Sequence, residues 1–130
     1  MIAYDARHGT TPIPGLAVWQ KAHALAMEVL EVAEREPIAR RFYLRDQICG
    51  AAMSIPANIA EGSGRRTPRD NASFVDIARG SPFELDTWLY TVTLTGYASH
   101  EEYERWSAAV SEINAMLYAL ARSLRARDSR

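Results

Sequence analysis

Arginine is the residue type in this 130-residue sequence whose placement comes nearest to chemistry. Arg65, Arg66 and Arg69 follow Gly62-Ser63-Gly64 and straddle Thr67-Pro68, which reads as a helix start. Glycine-exposed backbone donors, guanidinium forks and the positive end of a helix all suit the phosphate of a nucleic acid or another anion. The plainer reading is a solvated interhelical turn whose positive helix end is already met by Asp70. The spacing is not that of a nucleotide-binding loop, which needs four residues between its glycines and a lysine after them. Arg122, Arg125, Arg127 and Arg130 make a second cluster with no aromatic residue interleaved near the chain end. They read either as a footing on RNA or DNA or as cations complementing the negative end of the last helix.

The other reactive side chains do not assemble into a constellation. His23 lies on an apolar helix seam, where a core or interface histidine is expected, while His8 and His100 are far apart in sequence. Asn58 and Glu61 stand beside Pro56, at a spacing that suits them to structural work around the proline. No carboxylate pair has a supporting third group. Catalytic residues, metal ligands and cofactors are therefore all read as none, and the protein as non-enzymatic. An enzyme built on His23, Asn58 and Glu61 would require these three to converge on one pocket. Trp19, Trp88 and Trp106 fall on heptad seams and are read as core or interface aromatics.

Four amphipathic segments must position these residues. Residues 1–15, with two prolines and no periodicity, read as a flexible arm before one domain over 16–127. Helices are expected over about 16–36, 40–61, 68–95 and 100–126. The first carries two adjacent seams, Leu16-Trp19-His23-Ala26-Leu30-Ala33 and Val18-Ala22-Leu25-Val29-Val32. That apolar face is wider than contact with one neighbour needs. In the second, Pro56 either kinks the helix or breaks it, with Ser54 capping a fresh turn. In the third, Gly80-Ser81-Pro82 predicts a further kink, and Gly96 is its stop. The fourth starts at Ser99 with Glu102 three residues on, then carries Tyr103, Trp106, Val110, Ile113, Leu117, Leu120 and Leu124 at spacings of 3 and 4. The fold class is all-α, an antiparallel up-down-up-down four-helix bundle kinked near Pro56 and at Pro82.

Charge and composition narrow the partners. The net charge is −1, which argues against generic polyanion binding, yet it is unevenly spread. Residues 37–79 hold seven arginines against four carboxylates, whereas residues 80–121 hold six carboxylates against Arg105 alone. The lone Cys49 sits among small residues and reads as a buried apolar group in a reducing compartment. No apolar run has the length of about 20 residues that a membrane span takes, and no signal peptide is evident. A cytoplasmic protein without a membrane partner is expected.

Three stretches carry a resemblance. They are Val18-Trp19-Gln20-Lys21-Ala22-His23, then Ser54-Ile55-Pro56-Ala57-Asn58-Ile59-Ala60-Glu61-Gly62 with Gly64-Arg65, and Ala78-Arg79-Gly80-Ser81 followed by Glu84-Leu85. Over about residues 16–125 the chain resembles the bacterial four-helix bundle family first named for proteins encoded in intervening sequences of 23S ribosomal RNA genes. The resemblance marks Ser54, Pro56, Asn58, Glu61 and Gly62 as its structural motif. It implies a homopentamer and kinship with the accessory proteins of diversity-generating retroelements, which partner a reverse transcriptase and bind nucleic acid. Pro82 and the net charge of −1 depart from that pattern, since the retroelement accessory proteins are basic. The reading is a homo-oligomeric adaptor or scaffold that partners itself. The alternative is a nucleic-acid-binding accessory protein, for an RNA-processing or reverse-transcription partner, using Arg65, Arg66, Arg69, Arg122 and Arg125.

Overall fold

Gly15 opens the first helix from a left-handed conformation (φ 86°) that costs glycine nothing. The structure, a computed structural model, describes residues 14–128, so most of the expected N-terminal arm and Arg130 lie outside the described residues. Helix α1 spans Leu16–Ala33, and after Pro37 a single 3-10 turn, Ile38–Arg40, leads into α2, Phe42–Ser63. Helices α3 (Pro68–Ala78), α4 (Ser81–Leu94) and α5 (His100–Asp128) complete the chain. No strand occurs among the described residues, and the fold is an all-helical bundle.

The two prolines have opposite outcomes. Pro56 is buried inside α2, which runs through it unbroken, so the chain does not restart at Ser54. Pro56 has no N–H for the carbonyl of Ala52, and side chains engage the neighbouring carbonyls instead. Ser54 donates to the carbonyl of Ala51 (3.3 Å), and the Asn58 amide donates to the carbonyl of Ser54 (2.8 Å). At Pro82 the expected kink is a full break: α3 ends at Ala78, and α4 begins at Ser81 with Pro82 in its first turn. A first-turn proline gives up a donor that the helix would leave unused anyway. Ser54 and Ser81 then share a hydrogen bond, which ties α2 to the restart of α4.

Helix α2 is central, packing on α1, α3 and α4, while α5 closes the bundle against α1, α3 and α4. Helices α1 and α4 do not touch and lie diagonally across it. In α1 the whole of the second seam is buried, whereas Leu16, His23 and Leu30 of the first are only half-buried. The α5 seam holds: Trp106, Val110, Ile113, Leu117 and Leu124 are buried. Across the break between α3 and α4 the register is kept. Asn71, Val75, Ala78, Pro82, Leu85, Leu89 and Val92 are buried at spacings of 4 and 3, and Phe74 and Trp88 lie half-buried beside this seam.

Ser99 and Glu102 form a capping box at the start of α5. The Ser99 N–H donates to the Glu102 carboxylate (2.9 Å), and the Glu102 N–H donates to Ser99 Oγ (3.0 Å). Arg35 also forks onto Glu102, at 3.0 and 2.6 Å, joining the chain just past α1 to the start of α5. The Arg35 hydrogen bond, with help from the Ser99 backbone, holds the Glu102 carboxyl down to about 2. A folded-state value below the unfolded one contributes stability above the unfolded carboxylate range near about 4.3, and that stability is lost as pH falls towards 2. Glu102→Gln is therefore expected to lower the unfolding midpoint at pH 7 and to flatten its decline through acid pH. Urea unfolding at several pH values between neutrality and pH 2 checks this; parallel declines for both proteins would count against it.

Candidate functional site

The Ser54–Gly62 motif is built for close packing. An added Cβ at Gly62 would lie 2.6 Å from Asn71 Oδ1 and 2.9 Å from Phe74 Cβ, so only glycine lets α2 and α3 approach this closely. One turn on, Glu61 pairs with Arg65 (2.5 Å), whose guanidinium stacks over Phe74 at 4.5 Å from the ring centre. Glu61 and Arg65 thus fix the start of the interhelical turn. Arg66 and Arg69 are exposed, with no carboxylate partner among the described residues.

The turn between α2 and α3 and the end of α5 meet at one end of the bundle. There Arg65, Arg66 and Arg127 line a hollow of about 160 Å³, with Pro68, Asn71 and Leu124 among its walls. The two arginine clusters, separated by more than fifty residues of chain, are neighbours in space. Farther up the seam between α3 and α5, Arg125 pairs with Asp76, which also meets Arg79 at 3.5 Å. Arg79 and Arg122 both stack on Tyr118, at 5.0 and 5.9 Å from its ring centre. The second cluster therefore does have an aromatic partner. Tyr118 lies one turn before Arg122, a spacing visible in the sequence, but the arrival of Arg79 from α3 depends on tertiary packing. The positive end of α3 is occupied: Thr67 accepts from the Asp70 N–H at 3.1 Å, as expected for a cap.

A second surface is apolar. Trp19, His23 and Ala24 of α1 and Met53, Pro56, Ala57 and Ala60 of α2 line an open groove of about 600 Å³, with Gln20 at its edge. The rings of Trp19 and His23 stack nearly parallel, 4.9 Å apart. Neither Asn58 nor Glu61 lines this groove, so the three residues that an enzyme would require do not converge on it. On α4, Phe83, Tyr90 and Leu94 point outward, 63%, 45% and 66% exposed. Trp106 is buried in the core, and half-buried Trp88 meets Tyr43 edge to face. Cys49 is half-buried, and burial pushes its thiol up, away from the reactive thiolate. Among the described residues no group of three His, Cys, Asp or Glu side chains is placed to hold a metal ion, and no helix is long and apolar enough to cross a membrane.

Comparison with known proteins agrees with this architecture. A crystal structure from Bacteroides thetaiotaomicron, described as a protein with unknown function from the S23 ribosomal protein family, is similar with a TM-score of 0.71 and 26% identity. The match covers 80% of this chain and 97% of that one. No curated protein matches the chain. The family model described as 23S rRNA-intervening sequence protein matches residues 15–119, a span holding the proline-centred motif of α2, the broken third helix and the groove; the chain belongs to the 23S rRNA-intervening sequence protein family.

Proposed function

We propose that this protein is a non-enzymatic, homo-oligomeric adaptor of the cytoplasm, in which the groove between α1 and α2 receives a neighbouring copy. The observation that carries the reading is the groove itself, an apolar hollow of about 600 Å³ with Trp19 in its wall. An open apolar groove between two helices is a shape into which the apolar face of another helix can be laid. A second apolar surface, the stripe Phe83-Tyr90-Leu94, lies on α4, the helix diagonal to α1. Two different faces cannot both be covered in a two-fold pair that uses one of them. Groove-to-stripe contact uses both and repeats until the rotation closes a ring.

Charge favours the same pairing. Residues 81–104, which include the stripe, carry five carboxylates and no lysine or arginine. Residues 38–66, which include the α2 wall of the groove, carry five arginines against two carboxylates. The α1 wall, residues 16–36, carries four carboxylates against Lys21 and Arg35, which leaves the groove side near neutral. The acidic stripe is therefore repelled less by the groove than by another stripe. The family resemblance suggests five copies. Light scattering at micromolar concentration tests the reading. A mass several times the 14.5 kDa of one chain is expected, and a clean monomer would overturn it.

A further inference from the structure

Beyond the scaffold reading, we infer that the seam between α3 and α5, with the hollow at its lower end, is a track for single-stranded nucleic acid. Its arginines come from three parts of the chain: Arg65 and Arg66 from the turn, Arg69 and Arg79 from around α3, and Arg122, Arg125 and Arg127 from α5. These seven face four carboxylates, Glu61, Asp70, Asp76 and Asp128. Glu61 is committed to Arg65, and Asp76 to Arg79 and Arg125. Arg66, Arg69, Arg122 and Arg127 have no carboxylate partner among the described residues. The surplus positive charge is thus local, in a protein whose net charge is −1. Of these four arginines, Arg122 is held over the Tyr118 ring, beside the carboxylate-paired Arg79 on the same ring.

The shape selects the ligand. Arg66 and Arg127 border a recess of about 160 Å³, the scale of one phosphate group with its hydration. Above it the strip is only as wide as one helix–helix contact, roughly 8–10 Å. A duplex presents its phosphates on a broad cylinder with the bases stacked inside. A single strand can set a phosphate into the recess and turn a base towards Tyr118, which is 51% exposed. Guanidinium forks on phosphate, with an aromatic ring beside them, are the parts from which sequence-tolerant single-strand sites are made.

Fluorescence anisotropy with labelled 20-nucleotide oligouridine, oligothymidine and a 20-base-pair duplex, at about 50 and 200 mM salt, tests the assignment. Single strands are expected to bind more tightly than the duplex, and more weakly at the higher salt. The double variant Arg66→Gln/Arg127→Gln should flatten the logarithmic salt dependence by about 1.4, or about 0.7 for each phosphate of a single strand that it leaves without its arginine. Tyr118→Ala should weaken binding roughly five- to hundredfold, while Tyr118→Phe keeps the ring and retains most affinity. Arg40→Gln removes a charge that is already paired with Glu36 and should bind as the unaltered protein does. Circular dichroism confirms that each variant folds. The assignment is overturned if the unaltered protein binds no single strand at about 50 mM salt, if the duplex binds as well, or if the Arg66/Arg127 variant keeps its salt slope. Calorimetric binding of inorganic phosphate at millimolar concentration, with no oligonucleotide bound in the anisotropy assay, would show a free-anion site and likewise overturn it. Light scattering of the same samples reports the scaffold reading separately.

Discussion

Ala57→Arg is expected to reduce the assembly to monomers while leaving the bundle folded. Ala57 is exposed on the α2 wall of the groove, beside Pro56 and within a turn of Met53 and Ala60. An arginine there fills the hollow and would bury a charge against Trp19 with no carboxylate in the lining to receive it. A buried charge without a partner costs several kcal/mol, on the order of a hundredfold or more in each contact. Because the site faces solvent in the single chain, unfolding stability should change by no more than about 0.5 kcal/mol. Light scattering should give about 14.5 kDa.

The partner experiment fixes which faces meet. Leu94→Glu puts a charge into the α4 stripe, at a residue 66% exposed, and should also yield monomers. Mixed with Ala57→Arg, it should recover a dimer. The Leu94→Glu chain keeps an intact groove, the Ala57→Arg chain an intact stripe, and one productive contact joins them. If groove met groove instead, Leu94→Glu alone would stay assembled and mixing would restore nothing.

Gly62→Ala and Gly50→Ala should move stability in opposite directions, although both add the same methyl group to the same helix. At Gly62 the new Cβ would sit 2.6 Å from Asn71 Oδ1, 2.9 Å from Phe74 Cβ and 3.0 Å from the Asn71 carbonyl. Two of these three atoms are not the ends of flexible side chains, so α3 must move away from α2. Overpacking of this kind costs about 1–3 kcal/mol, which outweighs the roughly 1 kcal/mol gained by replacing glycine with alanine in a helix. At Gly50 nothing lies within 4 Å of the added Cβ, so the helix gain should appear alone. Denaturant midpoints for the two variants check the contrast. Equal shifts would mean that the contact between α2 and α3 is not tight. Gly62→Ala should also disturb the Arg65 turn, which hangs from the same helix end, and so weaken oligonucleotide binding beyond any loss of stability.

The sequence by itself determined where the helical segments lie and several of their ends, because those depend on near neighbours. The expected helix over 68–95 is nonetheless two helices, and α1 stops at Ala33. Apolar residues at spacings of 3 and 4 located the helices. Thr67 and Ser99 with acids three residues on located two starts, and Gly96 located the end of α4, where its φ of 86° completes the cap. The wide apolar face of α1 was legible too, since both seams are local patterns. Only the tertiary structure decided what two prolines do. Pro56 and Pro82 impose the same local penalty, but Pro56 is buried within α2, with Ser54 and Asn58 bonded to carbonyls beside the gap. Pro82 follows Gly80, where the chain can turn and restart.

The same division holds for the candidate sites. Arg65, Arg66 and Arg69 stand together in the sequence, and so do Arg122, Arg125 and Arg127. That the two groups share one end of the bundle follows from the antiparallel packing of α3 on α5. No single helix encodes that packing. The placing of Arg79 against Tyr118 and the pairing of Arg125 with Asp76 join residues dozens of positions apart, through side chains that reach across a helix interface. Charge pattern along a chain shows where cations are dense. Which of them are neutralised, and which stay open to a phosphate, is fixed when the helices bring carboxylates from other segments alongside, as Glu61 does for Arg65 and nothing among the described residues does for Arg66.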